Sequence, residues 1–527
     1  MPDAGTPTVT FDPDTARRSV FQALVEAGAE HGGDNPAFVD GDDRVLSYNE
    51  IIRASFALGS ALRRGTRRGE CVGVMLPTGA AGAIAFFALS AMGRIPTMLN
   101  FTSGASALKS ALHTAQVRRV VTARRLVDKA DLGDTIAALD GFEFVYLEEV
   151  RKNLSLKDKL TAVTGKLAPR LVSARPDSTD TAVILFTSGT EGHPKGVALS
   201  HANILTNVAQ VRDRFAITPD DVMFNPLPVF HCFGLVGGTI LPLIAGLKVV
   251  SHPTPLAPRD IVRRIRSHRA TILLSTDTFI NQYARCSDEG DLDTLRVAVC
   301  GAERLRDETR IFLRKKSTVT LVEGYGVTET SPVAALNTVE DNHPGTVGRL
   351  LAGMEARLEP VEGIAGAGQL FVRGPNIMQG YIKPDAPGVI VPPEDGWHNT
   401  GDIVALDEDG FIAIRGRLKR FAKIGGEAVS LAVVENIAAA LWPEHSHAAV
   451  AVPDGRKGEK IVLVTTAPGA RRLDMIGWAQ NHGVAELSVP REVLLADAIP
   501  MLATGKTDYV NVQKRVEAEQ AASSSDT

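Results

Sequence analysis

The chain has 527 residues, 57 Lys and Arg against 61 Asp and Glu, and 44% hydrophobic residues, the composition of a soluble globular enzyme long enough for several domain-sized units. A formal charge of −4 gives no electrostatic footing for nucleic acid, so none is expected as a partner. Cys71, Cys232, Cys286 and Cys300 stand far apart with no C-x-x-C pair, which excludes a disulfide framework and a cysteine zinc site and fits a reducing cytoplasm.

Taken in order, the N-terminal MPDAGTPTVTFDPDTARRS has no apolar h-region, so secretion is not expected. A helical pattern covers 48–65, a strand is predicted over CVGVMLP (71–77), and GAAGAIAFFALSAMG (79–93) is too short to span a bilayer and reads as a buried helix. Further β-branched runs bounded by turn residues predict strands at 118–123, 181–189, 247–252, 270–276 and 297–303, with a helix at 260–270. The long apolar stretch 227–250 is interrupted by Pro228, His231, Gly234, Gly237, Gly238 and Pro242, so a packed strand, turn and helix is expected rather than a membrane span. This alternation predicts an α/β protein whose large N-terminal domain, 1–416, is layered from mostly parallel sheets and helices. After Gly416 the texture changes to a charged link, a helix and short strands, read as a small mobile α+β domain over 417–512. The small polar residues 513–527 are expected to form a disordered tail.

The stretch 151–175 stands apart. It carries seven Lys or Arg against a single acid, Asp158, while Leu154, Leu156, Leu160, Val163 and Leu167 recur at near-helical spacing. Two readings are open: a solvated surface helix or linker, and a basic amphipathic element that touches anionic membrane, peripheral at the inner face.

At 186–196 the chain reads FTSGTEGHPKG. A Walker loop would need G-x-x-x-x-G-K-[ST], but counting from Gly189 the second glycine falls on Pro194, so that class is excluded. Thr187, Ser188, Gly189 and Thr190 nevertheless offer consecutive amides and hydroxyls to phosphate oxygens, with Lys195 as counter-charge.

EGYGVTETSP (323–332), GWHNTGDIVALDEDGFIAIRGRLKRFAKIGGE (396–427) and PMLATGKTDY (500–509) follow. Together with the loop, and in this order, they resemble the adenylate-forming superfamily of acyl-CoA synthetases, adenylation domains and firefly luciferase, over residues 30–510. The resemblance implies ATP and Mg²⁺ as cofactors. It implies that Thr187 to Lys195 wrap the β- and γ-phosphates, that Gly301, Ala302 and Glu303 line the adenine pocket, and that Tyr325 stacks on the base. Thr328 would touch the α-phosphate, and Glu329 would hold the metal. Asp402 would grip the ribose hydroxyls with help from Arg417, Lys419 would be the hinge, and Lys506 would reach the carboxylate and α-phosphate. Lys423 matches a lysine used in thioester formation by some relatives. No side-chain nucleophile is required, because a carboxylate attacking the α-phosphorus is served by positioning and charge neutralisation.

The resemblance places the acyl site around PLPVFHCFGL (226–235), with His231 near the carboxylate and Phe230, Phe233, Gly234, Thr276, Phe279 and Val333 lining an apolar cleft. Small residues there are expected to leave room for an alkyl chain. Within the superfamily the style is similar to the synthetase half of the bifunctional bacterial acyl-ACP synthetase/2-acylglycerophosphoethanolamine acyltransferase. Arg420 after the hinge lysine, and TDY after Lys506, depart from the broader pattern in that direction. No His has Asp five positions on, so the lysophospholipid-transferase pair is missing and a free-standing synthetase is expected. The expected reaction activates a long-chain fatty acid and passes it to a thiol, with acyl carrier protein favoured over CoA. A fatty acyl-AMP ligase, a short-chain or aryl acyl-CoA synthetase and a non-catalytic homologue at the membrane surface are the alternatives.

Overall fold

The computed structural model describes residues 16–187, 194–362, 364–424, 427–454, 458–501 and 507–525. The phosphate-loop residues Ser188, Gly189 and Thr190, and the catalytic candidate Lys506, lie outside these. The chain divides into two compact units.

The first unit comprises residues 1–355 and 373–398 and is built on two large sheets. In the nine-stranded sheet, Pro36–Val39, Lys248–Ser251, Val222–Asn225, Ile272–Ser275, Val297–Cys300 and Thr320–Gly326 run parallel in that order. In the eight-stranded sheet, Cys71–Val74, Ile95–Met98, Arg119–Thr122, Glu143–Tyr146 and Thr181–Thr187 are parallel neighbours, and Lys195–Ser200, Gly380–Ile382 and Ile390–Val391 extend it antiparallel. Every strand predicted from its β-branched run is present, and the mostly parallel α/β layering is observed.

Parallel strands with covered faces must be apolar throughout. Ile272–Ser275 is buried at all four positions, as is the Ala80–Ala91 helix on nearly every side. The stretch 227–250 folds inside the unit as a π-helix, Phe233–Ile240, a short helix and the strand Lys248–Ser251. No helix among the described residues is long and apolar enough to cross a membrane.

The second unit comprises residues 356–372 and 399–527. It holds a four-stranded sheet made of Glu355–Pro360, Gly368–Arg373, His398–Leu406 and Ile412–Arg417, and a second sheet of Phe421–Ile424, Glu427–Ser430, Gly458–Thr465, His447–Asp454 and Glu492–Leu495. Period-two alternation divides the second sheet's two faces. Ala449, Ile461 and Leu463 pack with the Leu431–Leu441 helix, while Ala448, Val450, Val452, Val462 and Val464 pack with Val512 and Val516.

Two expectations differ from the structure here. The boundary expected after Gly416 falls inside a strand pair, since Asp402 pairs with Arg417 and Ile403 with Gly416, so this hairpin groups with the second unit. The tail expected to be disordered from 513 onward is instead helix, Tyr509–Ser525. The polar composition hid two apolar anchors one turn apart, Val512 and Val516, both fully buried.

Candidate active site

In the first unit, four parallel strands end along one edge. Asn225, Ser275, Cys300 and Gly326 close them, and the segments expected to bind substrate follow directly: Pro226–Leu235, Thr276–Phe279, Gly301–Glu303 and Thr328–Glu329. Ligand sites in parallel sheets lie beyond the strands' carboxyl ends, because side chains and amides of successive loops converge there.

The registers Ser275 to Cys300 and Cys300 to Glu323 set the adenine candidates side by side. A Cβ at Gly301 would lie 3.5 Å from the carbonyl of Gly324 and 3.3 Å from the Phe233 ring. Glycine here relieves a tight contact with the Phe233 ring, while the expected base-stacking strand, with half-buried Tyr325, lies at ordinary van der Waals distance. Ala302 has φ +67°, a backbone strain that a surrounding structure must hold in place. Its neighbour Glu303 supplies one such hold, its carboxylate accepting the Thr278 amide at 3.0 Å. Thr276 in turn caps the Asp277–Cys286 helix, which contains Thr278, by accepting from the Phe279 amide.

At the carboxyl end of the last strand, Thr328, Glu329 and Thr330 form one 3-10 turn. The segment PNIMQGY (375–381) laces this turn to the phosphate-loop hairpin. Met378 donates its amide to the Glu329 carbonyl at 2.8 Å and Gln379 to the Ala198 carbonyl at 2.9 Å. Asn376 donates to the Thr330 carbonyl at 2.7 Å, and Tyr381 pairs with Val197. The Tyr381 hydroxyl donates to Glu329 Oε1 at 2.6 Å, and Lys195 Nζ lies 5.6 Å from the same ring's centroid. Thr187 and Lys195 face each other across the hairpin. One tyrosine therefore links the metal-holding candidate with the phosphate counter-charge. Burial, and then the Glu329 charge, push its phenol pKa far up, so it remains a donor. Tyr381 has no role in the sequence reading. Only the strand pairing shows what the ring touches.

Glu329 is buried. No cluster of three or more His, Cys, Asp or Glu suited to a metal occurs among the described residues. One oriented carboxylate is what magnesium requires when substrate phosphates complete its shell, so the residues present fit that ion, and Glu329 is the residue that would hold it.

The acyl candidates gather around His231, but not all line open space. Phe230 is buried edge-on to Phe101 and His231, and Phe279 is 1% exposed and stacked on Tyr283, so both rings serve the core. The expectation that small residues leave room for an alkyl chain fails at Gly234, whose Cβ would meet the Pro228 carbonyl at 2.3 Å. At Gly238 a Cβ would meet the Asn225 amide at the same 2.3 Å. Asn225 donates to the Gly234 carbonyl at 3.0 Å, and this close packing is what the two glycines permit. Val333 is half-buried and held at both backbone groups by Asn207, at 2.7 and 3.1 Å. Burial pushes the thiols of Cys232 and Cys300 well up, which removes both as nucleophiles.

In the second unit, the buried carboxylate of Asp402 accepts from Arg417 Nε at 3.1 Å across the hairpin. Arg417 itself is 66% exposed. Lys419 is exposed in the 3-10 turn Leu418–Arg420 that follows.

A family model described as AMP-binding enzyme matches residues 25–382, two thirds of the chain and all of the motif-bearing edge. The chain belongs to the AMP-binding enzyme family. A solved structure of similar fold, O-succinylbenzoate Coenzyme A synthetase (MenE) from Bacillus subtilis, 21% identical with a TM-score of 0.79, holds ATP and a magnesium ion. The chain is 31% identical to an indenyl-propanoyl:CoA ligase of Mycobacterium tuberculosis, covering 88% of this chain and 93% of that one. It is 28% identical to a long-chain-fatty-acid–CoA ligase of Yersinia pestis, covering 94% of each. Among solved structures, the anthranilate CoA ligase AuaEII with anthranoyl-AMP superposes with a TM-score of 0.80 at 20% identity, over 96% of this chain and 98% of the other. ATP-bound MatB from Rhodopseudomonas palustris gives 0.80 at 24%, over 95% and 99%. The fold of this family member is thus that of the adenylate-forming enzymes across both units.

Proposed function

We propose that the chain activates a long-chain fatty acid as its acyl-adenylate and passes the acyl group to a thiol, with CoA as the acceptor. The observation that carries the adenylation step is the Lys195–Tyr381–Glu329 arrangement beside Thr328 at the strand ends. Lys195 supplies positive charge at the phosphates, and Thr328 supplies a hydroxyl from the turn itself. Tyr381 keeps the Glu329 carboxylate aimed. Magnesium, when bound, neutralises the charge of the departing pyrophosphate. Lys506 is assigned to the attacking carboxylate and the α-phosphate, Asp402 to the ribose hydroxyls, and Lys419 to the hinge between the two half-reactions.

The fatty acid and the CoA acceptor are supported by the relatives, several of them named long-chain-fatty-acid–CoA ligases. The apolar surroundings of His231, with Phe233 over Gly237 and Gly301, suit an acyl chain better than a charged substrate. The sequence style favours acyl carrier protein, but its two markers, Arg420 and Tyr509, hold one another (Arg420 Cζ is 3.5 Å from the Tyr509 centroid). This contact supports a packing role for both residues.

The test is AMP release by the purified protein with palmitate, ATP and magnesium, in the presence of CoA or acyl carrier protein. AMP and palmitoyl-CoA are the expected products. Absence of AMP with either acceptor would overturn the ligase reading, and a thioester formed only on acyl carrier protein would overturn the choice of CoA.

A further inference from the structure

The Leu156–Leu167 helix is amphipathic twice over. Its inner face, Asp158, Ala162 and Gly165, is buried, and Gly165 lies so close to Phe56 that a Cβ would meet the ring at 2.4 Å. On the side roughly opposite, Leu156, Leu160, Val163 and Leu167 project within about 60° of one another. These four are 73, 56, 51 and 77% exposed. Leu171, in the next short helix, adds a fifth at 83%. Five of the eighteen large exposed apolar side chains of the described residues fall in this sixteen-residue window, so the stripe is concentrated rather than scattered.

Charge is sorted on the same helix. Lys157 flanks the stripe on one side, and Lys159 and Lys166 flank it on the other; all three are exposed, and no ion pair to them is found among the described residues. The one acid of the stretch is turned inward. Asp158 is fully buried, caps the helix with Ser155 and accepts two hydrogen bonds from Arg64 at 2.7 and 2.9 Å. Burial alone would raise its pKa, but Arg64 and Ser155 outweigh it and hold the carboxyl well below the usual carboxylate range. The Arg64 contact, and the bond from Arg68 to the Arg175 carbonyl at 2.7 Å, bring the RRGTRRG loop (63–69) to the same edge. There the exposed Arg67 and Arg68 add positive charge. Acids bordering this surface are engaged: Glu26 with Arg18 and Arg170, Glu149 with Arg124, and Glu70 with the Arg67 amide.

We propose that the outward stripe of the Leu156–Leu167 helix, with its flanking lysines, docks the protein onto an anionic lipid bilayer. Aliphatic tips enter the headgroup boundary while the lysine stems extend sideways to the phosphates. A second copy of the chain fits poorly, because a symmetric contact through a narrow stripe would face lysine with lysine. The net charge of −4 makes the patch a local feature, so attraction is confined to this face. The inference does not rest on the proposed substrate, and lipid binding read without turnover separates the two.

The experiment sediments the full chain with vesicles of phosphatidylcholine alone or mixed with phosphatidylglycerol, at low and physiological salt. Binding to the mixed vesicles that weakens with salt is expected. Leu160→Glu combined with Leu167→Glu should weaken it by roughly tenfold or more. Reversing Lys157, Lys159 and Lys166 to Glu should abolish the preference for anionic lipid, a loss on the order of a hundredfold. AMP formation from soluble substrates, unchanged in both variants, reports an intact fold. The proposal is overturned if the wild type stays in the supernatant, if both vesicle types bind equally, or if the leucine variant sediments like wild type. Loss of self-association in that variant, without vesicle binding by wild type, would instead assign the stripe to a protein contact.

Discussion

The guanidinium of Arg420 stands 3.5 Å from the centroid of Tyr509, and both side chains reach Glu435. Arg420 Nη2 donates to Oε1 at 2.7 Å and the Tyr509 hydroxyl donates to Oε2 at 3.2 Å. Arg420 Nη1 also donates to the Ala449 carbonyl at 2.7 Å. The residue after Lys419 is thereby fixed to the C-terminal helix, and burial raises the Tyr509 phenol to about 12. Arg420→Ala removes two charge-assisted hydrogen bonds and a cation–π contact. A loss of about 2 kcal/mol, or roughly 4–8 °C in thermal midpoint, is expected. The ratio of CoA to acyl-carrier-protein turnover should stay the same. A shifted ratio at constant stability would show that Arg420 reads the acceptor after all.

Tyr381→Phe deletes one hydroxyl and leaves the ring beneath Lys195. A hydrogen bond to a carboxylate is worth about 1.5–3 kcal/mol, so the magnesium concentration for half-maximal AMP formation should rise roughly ten- to hundredfold. Tyr381→Leu should in addition raise the KM for ATP, since the ring itself is lost. A Phe variant with wild-type magnesium dependence would reduce Tyr381 to a packing residue.

Asp402 is buried and its partner Arg417 largely exposed, so the carboxylate is the fixed member of the pair. Asp402→Asn keeps the shape and should raise the KM for ATP by roughly ten- to hundredfold. Arg417→Ala should cost less, because an exposed guanidinium is screened by water. A larger effect of Arg417→Ala than of Asp402→Asn would place the grip in Arg417 instead.

Lys506→Ala should abolish acyl-adenylate formation yet leave thioester formation from supplied acyl-AMP near wild type. Survival of the first half-reaction, followed by pyrophosphate exchange, would remove the catalytic assignment.

His201 Nδ1 accepts the Val20 amide at 3.1 Å, a role open only to the neutral ring. Burial pushes its pKa down to about 4, with Asp180 pulling weakly upward. The unfolded chain therefore binds this proton more readily. The contribution to stability is complete above about pH 6.5 and falls as the pH drops toward about 4, by on the order of 3 kcal/mol. Urea unfolding across that range should show a flatter profile for His201→Gln; parallel profiles would assign the acid sensitivity elsewhere.

The sequence alone determined the periodic elements, the strand-end loops and, through FTSGTEGHPKG, EGYGVTET and TGD, the family. Such signals are carried by neighbouring residues, so they survive in one dimension. What pairs across the chain was decided only by folding. Tyr381 reaches Glu329 across 52 positions, and Arg420 reaches Tyr509 across 89. Gly234 read as open space until the Pro228 carbonyl was seen to fill it. The polar tail read as unstructured until Val512 and Val516 found a sheet face to cover. Whether a side chain is a ligand, a brace or filler depends on burial and on which distant atoms come within hydrogen-bond or van der Waals reach, and these are properties of packing.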